Sequence, residues 1–209
     1  MALTNQVGSF CWWSLMSHHV SAANQFYQQL FDWQLDEIEI PDQDPSTIYV
    51  AGHGGFANPS TLEENDPTPS HWIAYIMVED VDQSCALAET LGGAVAIPAF
   101  SIPTIGRTAV IQDPVGTRFH LFTPVKQSEN FNMIGNETGE ICWMELMVNN
   151  PTPLFSFYTD MFGWDFSDPM PINGGEYTSF KSHGEQVGGL MKRPPDVPEM
   201  PPMLSLIHI

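Results

Sequence analysis

The sequence predicts an α+β fold built from βαβββ modules, three of them followed by the start of a fourth. Three observations carry this. First, Cys11-Trp12-Trp13-Ser14-Leu15-Met16, with Phe26-Tyr27 and Phe31-Asp32-Trp33 behind it, returns at constant spacing as Cys142-Trp143-Met144-Glu145-Leu146-Met147, Phe157-Tyr158 and Phe162-Gly163-Trp164. Repetition of this kind marks a repeated structural unit. Second, the hydrophobic period within each copy switches from strand-like to helix-like. Third, proline-rich stretches at 59–69 and 194–202 interrupt the two copies at matching places.

The elements follow in order. Residues 10–16 read as an aromatic-rich strand and 20–32 as an amphipathic helix with Ala22, Phe26, Tyr27, Leu30 and Phe31 along one flank. Strands at 34–40, 47–51 and, weakly, 55–58 come next, each bounded by Pro, Gly, Asp or Asn. Past the first proline-rich stretch, 72–78 is a strand and 82–91 a helix stopped by Gly92-Gly93. Strands at 94–98, 106–112 and 118–123 complete that module, the last two joined by an Asp113-Pro114-Val115-Gly116 turn. A third module spans 140–191, its helix opened by Asn149 and Pro151, and 204–209 begins another strand.

This divides the chain into a complete two-module domain at 1–125 (modules 6–58 and 70–125), a linker at 126–139, and a third module with the start of an incomplete second domain at 140–209. The final strand reads as a fourth module cut short or as a non-native end. A third module without a partner leaves an open sheet edge and apolar surface, so a homodimer through that module is expected.

The composition narrows the function. Of 209 residues, 25 are acidic and 6 basic, for a formal charge of −19. Phosphate binding needs clustered Lys and Arg, so nucleic acid is not a partner. No segment reaches the length of apolar sequence that spans a bilayer and no basic-then-apolar leader opens the chain, which reads as an acidic, cytoplasmic, globular protein. Cys11, Cys85 and Cys142 have no CxxC spacing and read as buried free thiols.

The helix carrying Phe-Tyr and ending in Phe-Asp-Trp or Phe-Gly-Trp, followed by a unit with Glu79-Asp80-Val81-Asp82, Leu91-Gly92-Gly93 and Asp113-Pro114-Val115-Gly116, resembles the vicinal oxygen chelate superfamily over nearly the whole chain. That group holds the glyoxalases, bleomycin-resistance proteins and extradiol dioxygenases. The resemblance implies paired modules whose curved sheets enclose a cleft, where a divalent metal usually sits on His and Glu from the first and last strands of each module. Carried over by position, the first-strand ligand sites are Trp12, Ile73 and, in the third module, Trp143, none of which can ligate. The last-strand site of the second module is His120, and the matching stretch of the first is glycine-rich, 52–55. One competent ligand is too few for a metal site. No cofactor is therefore assigned, with a divalent metal left as the alternative and His120 and His71 as weak candidate ligands.

Because the family's ligand position faces the cleft, strand alternation places Trp12, Ser14 and Met16 inside and Cys11, Trp13 and Leu15 on the opposite face. By the same parity Ile73, Tyr75 and Met77, and Arg118, His120 and Phe122, line the cleft. His120 is the candidate catalytic base or substrate anchor, beside Arg118; the plainer alternative is a histidine hydrogen-bonded in the sheet wall. Trp143 and Glu145 are candidates for a second site, Glu145 standing where the first copy has Ser14. His18 and His19 read as cap or surface residues, and His53 and His183 as turn residues. The expected function is binding of a small, largely apolar molecule between modules one and two. The alternatives are a metal-dependent lyase or dioxygenase of the glyoxalase type and a non-catalytic drug-sequestering protein of the bleomycin-resistance type.

Overall fold

The computed structural model describes residues 7–52, 54–125, 134–135, 137–173, 175–194 and 202–208. The first βαβββ run is β1 (Phe10–Ser17), α1 (Val20–Phe31), β2 (Gln34–Ile38), β3 (Ser46–Ala51) and β4 (Gly54–Thr61). The second is β5 (His71–Met77), α2 (Val81–Thr90), β6 (Ala94–Ile102), β7 (Gly106–Gln112) and β8 (Arg118–Pro124). The third, in which two short strands take the place of β2, is β9 (Ile141–Val148), α3 (Thr152–Phe162), β10 (Asp165–Phe166), β11 (Met170–Ile172), β12 (Gly175–Ser182) and β13 (Glu185–Lys192), after which β14 (Met203–His208) follows.

The first two runs form one eight-stranded sheet in the order β2-β3-β4-β1-β5-β8-β7-β6. At its centre β1 and β5 pair antiparallel, flanked by β4 parallel to β1 and β8 parallel to β5. The third run repeats that arrangement in a second sheet, β10-β12-β13-β9-β14, with β13 parallel to β9 and β14 antiparallel to it. The register repeats as well, Leu15 facing Trp72 as Leu146 faces Leu204. β4 reaches Thr61, so Pro59 lies within a strand, beyond the expected module end at 58. Its pairing with β3 reaches only Ala57, and a proline's missing donor is tolerated where a strand has a neighbour on one side.

One departure from simple alternation shapes both first strands. Phe10 faces Ile76 and Trp12 faces Tyr75, leaving Cys11 as an extra residue in a bulge. The same happens at Cys142, between Ile141 facing His208 and Trp143 facing Ile207. Each thiol donates to the carbonyl of the residue facing the following tryptophan, Cys11 Sγ to Tyr75 O at 3.5 Å and Cys142 Sγ to Ile207 O at 3.4 Å. The bulge turns Cys11 away from Trp13 and Leu15, correcting the face expected for it. It packs with Met77, Phe122, Tyr75 and Ile105, where burial raises its pKa.

A continuous apolar core runs through both sheets, joining Trp13, Trp33, Tyr49, Phe119 and Leu121 to Met144, Phe157, Tyr158, Trp164 and Phe180. Two reciprocal hydrogen bonds tie it together. Trp33 Nε1 donates to Gly139 O at 2.8 Å, and its repeat counterpart Trp164 Nε1 donates to Gly8 O at 2.7 Å. Both glycines hold left-handed backbone, φ 86° at Gly8 and 88° at Gly139. A Cβ on Gly8 would lie 2.5 Å from the Phe162 carbonyl oxygen, and one on Gly139 would lie 3.3 Å from Phe31 Cβ. Each repeat therefore seats the start of its first strand on the end of the other repeat's helix.

The two helices then differ in what covers them. α3 buries Leu154, Phe157, Tyr158, Met161 and Phe162, and Tyr158 donates to Asp113 Oδ2 in the β7–β8 turn at 2.8 Å. On α1 no residue is buried: Phe26 is 57% exposed and Leu30 55%, against 1% and 7% for their counterparts Phe157 and Met161. Both helices stop at a left-handed residue, Asp32 in one copy and Gly163 in the other. Among the described residues no helix is long and apolar enough to cross a membrane.

These glycines separate two costs. Gly163 has open space where a Cβ would go, so Gly163→Ala should lose only the left-handed backbone penalty, about 1 kcal/mol. Gly8→Ala adds a clash with the backbone of α3 and should cost about 3 kcal/mol in denaturant unfolding. Equal losses would show that the inter-repeat contact does not constrain Gly8.

Candidate binding cleft

Four central strands, β4, β1, β5 and β8, carry the candidate residues on one face. Their register forms two rows. Asn58, Ser14 and Ile73 lie side by side in one, and Trp12, Tyr75 and His120 in the other. The pairing of Ser14 with Asn58 corresponds to that of Tyr75 with His120, so Asn58 is the first module's counterpart of His120. This corrects the expectation that the position falls in the glycine-rich stretch. Gly52 lies in the turn and Gly54 and Gly55 open β4, and Gly54 (φ 125°) stands to Asn58 as Gly116 (φ 104°) stands to His120. That shared offset was the signal available in the sequence.

Hydrogen bonds knit the two rows together. Trp12 Nε1 and Ser14 Oγ both donate to Asn58 Oδ1 at 2.7 Å, and Asn58 Nδ2 donates to Ser60 Oγ at 2.9 Å. Ser14 Oγ also lies 3.2 Å from the Tyr75 hydroxyl. The amide oxygen therefore already accepts two donors, and the asparagine cannot be flipped without losing both.

His120 and Tyr75 stack with centroids 4.0 Å apart and planes within 8°. Thr108, on the neighbouring β7, sits 3.0 Å from His120 Nδ1 and donates its own proton to Leu121 O at 2.8 Å. A hydroxyl has one proton, so His120 Nδ1–H donates to Thr108 and Nε2 is the nitrogen that keeps its lone pair. Burial pushes the His120 pKa down to about 4, so the ring is neutral at pH 7. Thr108 was not found from sequence because its role depends on which strand lies next to β8.

The remaining candidates separate. Ile73, Met77 and Phe122 are buried, and Met16 is half-buried. Arg118 is exposed at the start of β8 and makes no hydrogen bond or ion pair among the described residues. His71 begins β5, its Nδ1 2.8 Å from Pro69 O, and four strand residues carry it about 13 Å from Tyr75, so it is not brought to His120. His19 takes the α1 N-cap position without a side-chain bond, His18 Nε2 lies 2.8 Å from Thr68 O, and His183 occupies a left-handed turn. His53 lies outside the described residues. On the second sheet Trp143 Nε1 donates to the Tyr177 hydroxyl at 2.8 Å, and that hydroxyl lies 3.4 Å from Glu145 Oε2.

The donor set does not suit the divalent metal that the fold family implies. Of Trp12, Asn58, Ile73 and His120, only the imidazole and an amide oxygen already holding two hydrogen bonds are competent donors. Among the described residues no group of three or more His, Cys, Asp or Glu comes together.

No family model matches the chain. It is 31% identical over 201 residues to the provisionally named glyoxylase CFP32 of Mycobacterium tuberculosis (strain CDC 1551 / Oshkosh), covering 90% of this chain and 72% of that protein. It is 24% identical over 169 residues to the anthracycline biosynthesis protein DnrV of Streptomyces peucetius, covering 75% of this chain and 61% of that one. Among solved structures, the Mn(II)-bound glyoxalase from Novosphingobium aromaticivorans superposes with a TM-score of 0.67 at 16% identity, over 95% of this chain and 64% of its own. The halotolerant catechol dioxygenase BphC gives 0.61 at 16% identity, over 92% and 67%. With the duplicated βαβββ architecture, these similarities show that the chain belongs to the vicinal oxygen chelate superfamily, among its glyoxalase-like proteins.

Proposed function

We propose that the face formed by β4, β1, β5 and β8 binds a small, largely apolar, neutral molecule without a resident metal, as a binding or sequestering site. The observation that carries this reading is the occupancy of Asn58: its oxygen accepts from Trp12 Nε1 and Ser14 Oγ, so the residues at two family ligand positions bond each other. Trp12, Met16, Ile73, Tyr75, Met77 and Phe122 supply apolar and aromatic surface. The Ser14 proton goes to Asn58, so the Tyr75 hydroxyl proton goes to Ser14, and the polar groups left for a ligand are the Tyr75 hydroxyl oxygen and His120 Nε2. A base whose conjugate acid has a pKa of about 4 is poorly matched to proton abstraction at pH 7, so His120 serves as a hydrogen-bond acceptor for a ligand O–H or N–H. This favours binding over lyase or dioxygenase chemistry. Arg118, exposed at the end of the row, fits the rim.

The test is metal analysis of the purified protein joined to binding of a planar phenol such as 2-naphthol, read by tryptophan fluorescence. Metal well below one equivalent is expected, with saturable quenching weakened at least tenfold in Trp12→Ala and His120→Ala. Stoichiometric metal that disappears in His120→Ala overturns the reading.

The depressed His120 pKa also sets a stability window. In the unfolded chain the ring titrates near 6.5, and in the fold near 4, so its contribution is intact above pH 6.5 and lost as pH falls toward 4. That shift is worth about 3 kcal/mol when complete. Denaturation at pH 7 and pH 4 should show the native protein losing about that much more than His120→Gln. A parallel loss in both would mean the ring is not held neutral.

A further inference from the structure

We infer that the matching face of the second sheet is a separate site for a small organic ammonium cation with an apolar body, held by Glu145, Tyr177 and Trp143. The two sheets place different chemistry on equivalent positions. Where Ser14 faces Asn58 in the first, Glu145 faces Gly189 in the second. A Cβ at residue 189 would lie 1.8 Å from the Tyr177 hydroxyl oxygen, so the glycine opens the space through which Tyr177 reaches Glu145. Side chains from β9 and β12 thus converge over the backbone of β13.

The carboxylate is short of donors. It can accept about four hydrogen bonds. Tyr177 offers one, at 3.4 Å to Oε2, and its oxygen is already engaged by Trp143 Nε1. Glu145 Oε1 is enclosed with no hydrogen-bond partner, and no salt bridge reaches Glu145 among the described residues. Burial raises the pKa of this group against that single hydrogen bond. Such a group is relieved by a cation that brings N–H donors.

The surroundings select what carries that cation. Trp143 and Met147 are half-buried on the same face, Ile207 faces Trp143 and is 41% exposed, and Ser205 faces Glu145. An aromatic face beside a carboxylate favours a cation through both charge and ring quadrupole. The missing donors favour a primary or secondary ammonium over a quaternary one. The first sheet has Ser14 where the second has Glu145 and keeps His120 neutral, so the two faces divide neutral from cationic ligands.

Phenethylammonium, 2-phenylethanol and phenethyltrimethylammonium, titrated into the full chain by calorimetry at pH 7.5, test this. Phenethylammonium should bind at least tenfold more tightly than the alcohol and more tightly than the quaternary ion, and Glu145→Gln should erase that preference. Gly189→Ala should weaken binding severalfold by displacing Tyr177. Unfolding midpoints and 2-naphthol binding measured on the same variants show whether the fold and the first face persist. Trp12→Ala should leave ammonium binding unchanged, so failure of this site is distinguishable from failure of the neutral-ligand site. Equal binding of amine and alcohol, or equal amine binding by native protein and Glu145→Gln, overturns the inference.

Discussion

Two indole N–H groups, each donating to a glycine carbonyl in the opposite repeat, are the constraint on which the arrangement of this molecule rests. Trp33 and Trp164 are fully buried, so leaving either donor unmatched would cost roughly 1–3 kcal/mol, and the partner must arrive from far along the chain. Only left-handed glycine turns the carbonyl toward the indole while leaving room for the facing helix end. The contact also fixes where β1 and β9 begin. From there the cysteine bulges set the side-chain phase, and with it which residues face outward from the two sheets.

On that shared frame the two faces have diverged by changing a few residues. In the first, Trp12, Ser14, Asn58 and Ser60 satisfy one another. A closed network of this kind rigidifies the face and leaves few groups for a ligand. In the second, loss of the asparagine side chain at Gly189 and gain of a carboxylate at Glu145 leave the network unfinished. The difference between a self-satisfied and an undersupplied polar cluster separates a neutral surface from a charged one.

Much of this was legible in the sequence. The repeated motif marked the first strands β1 and β9, and alternation placed Trp12, Ser14, Tyr75 and His120 on one face, because both depend on local spacing. What escaped depended on partners far along the chain. The bulge at Cys11 is defined by β5, so a period of two could not reveal that the thiol joins Met77 and Phe122. Asn58 was hidden because Pro59 reads as the end of a strand that continues past it. Thr108 fixes the His120 tautomer only because β7 lies beside β8. Gly8 and Gly139 have no local signature that distinguishes them from ordinary turn glycines.

The uncovered flank of α1 has a colloidal consequence. Its sequence, VSAANQFYQQLF, contains no charged residue, yet Phe26 and Leu30 face solvent. Nothing in the helix itself opposes self-adhesion, so repulsion between molecules comes from the −19 charge distributed over the rest of the chain. That repulsion reaches about 10 Å at 0.1 M salt and only about 3 Å at 1 M. Raising the ionic strength therefore removes the barrier while strengthening apolar adhesion, and this acidic chain should become less soluble as salt increases.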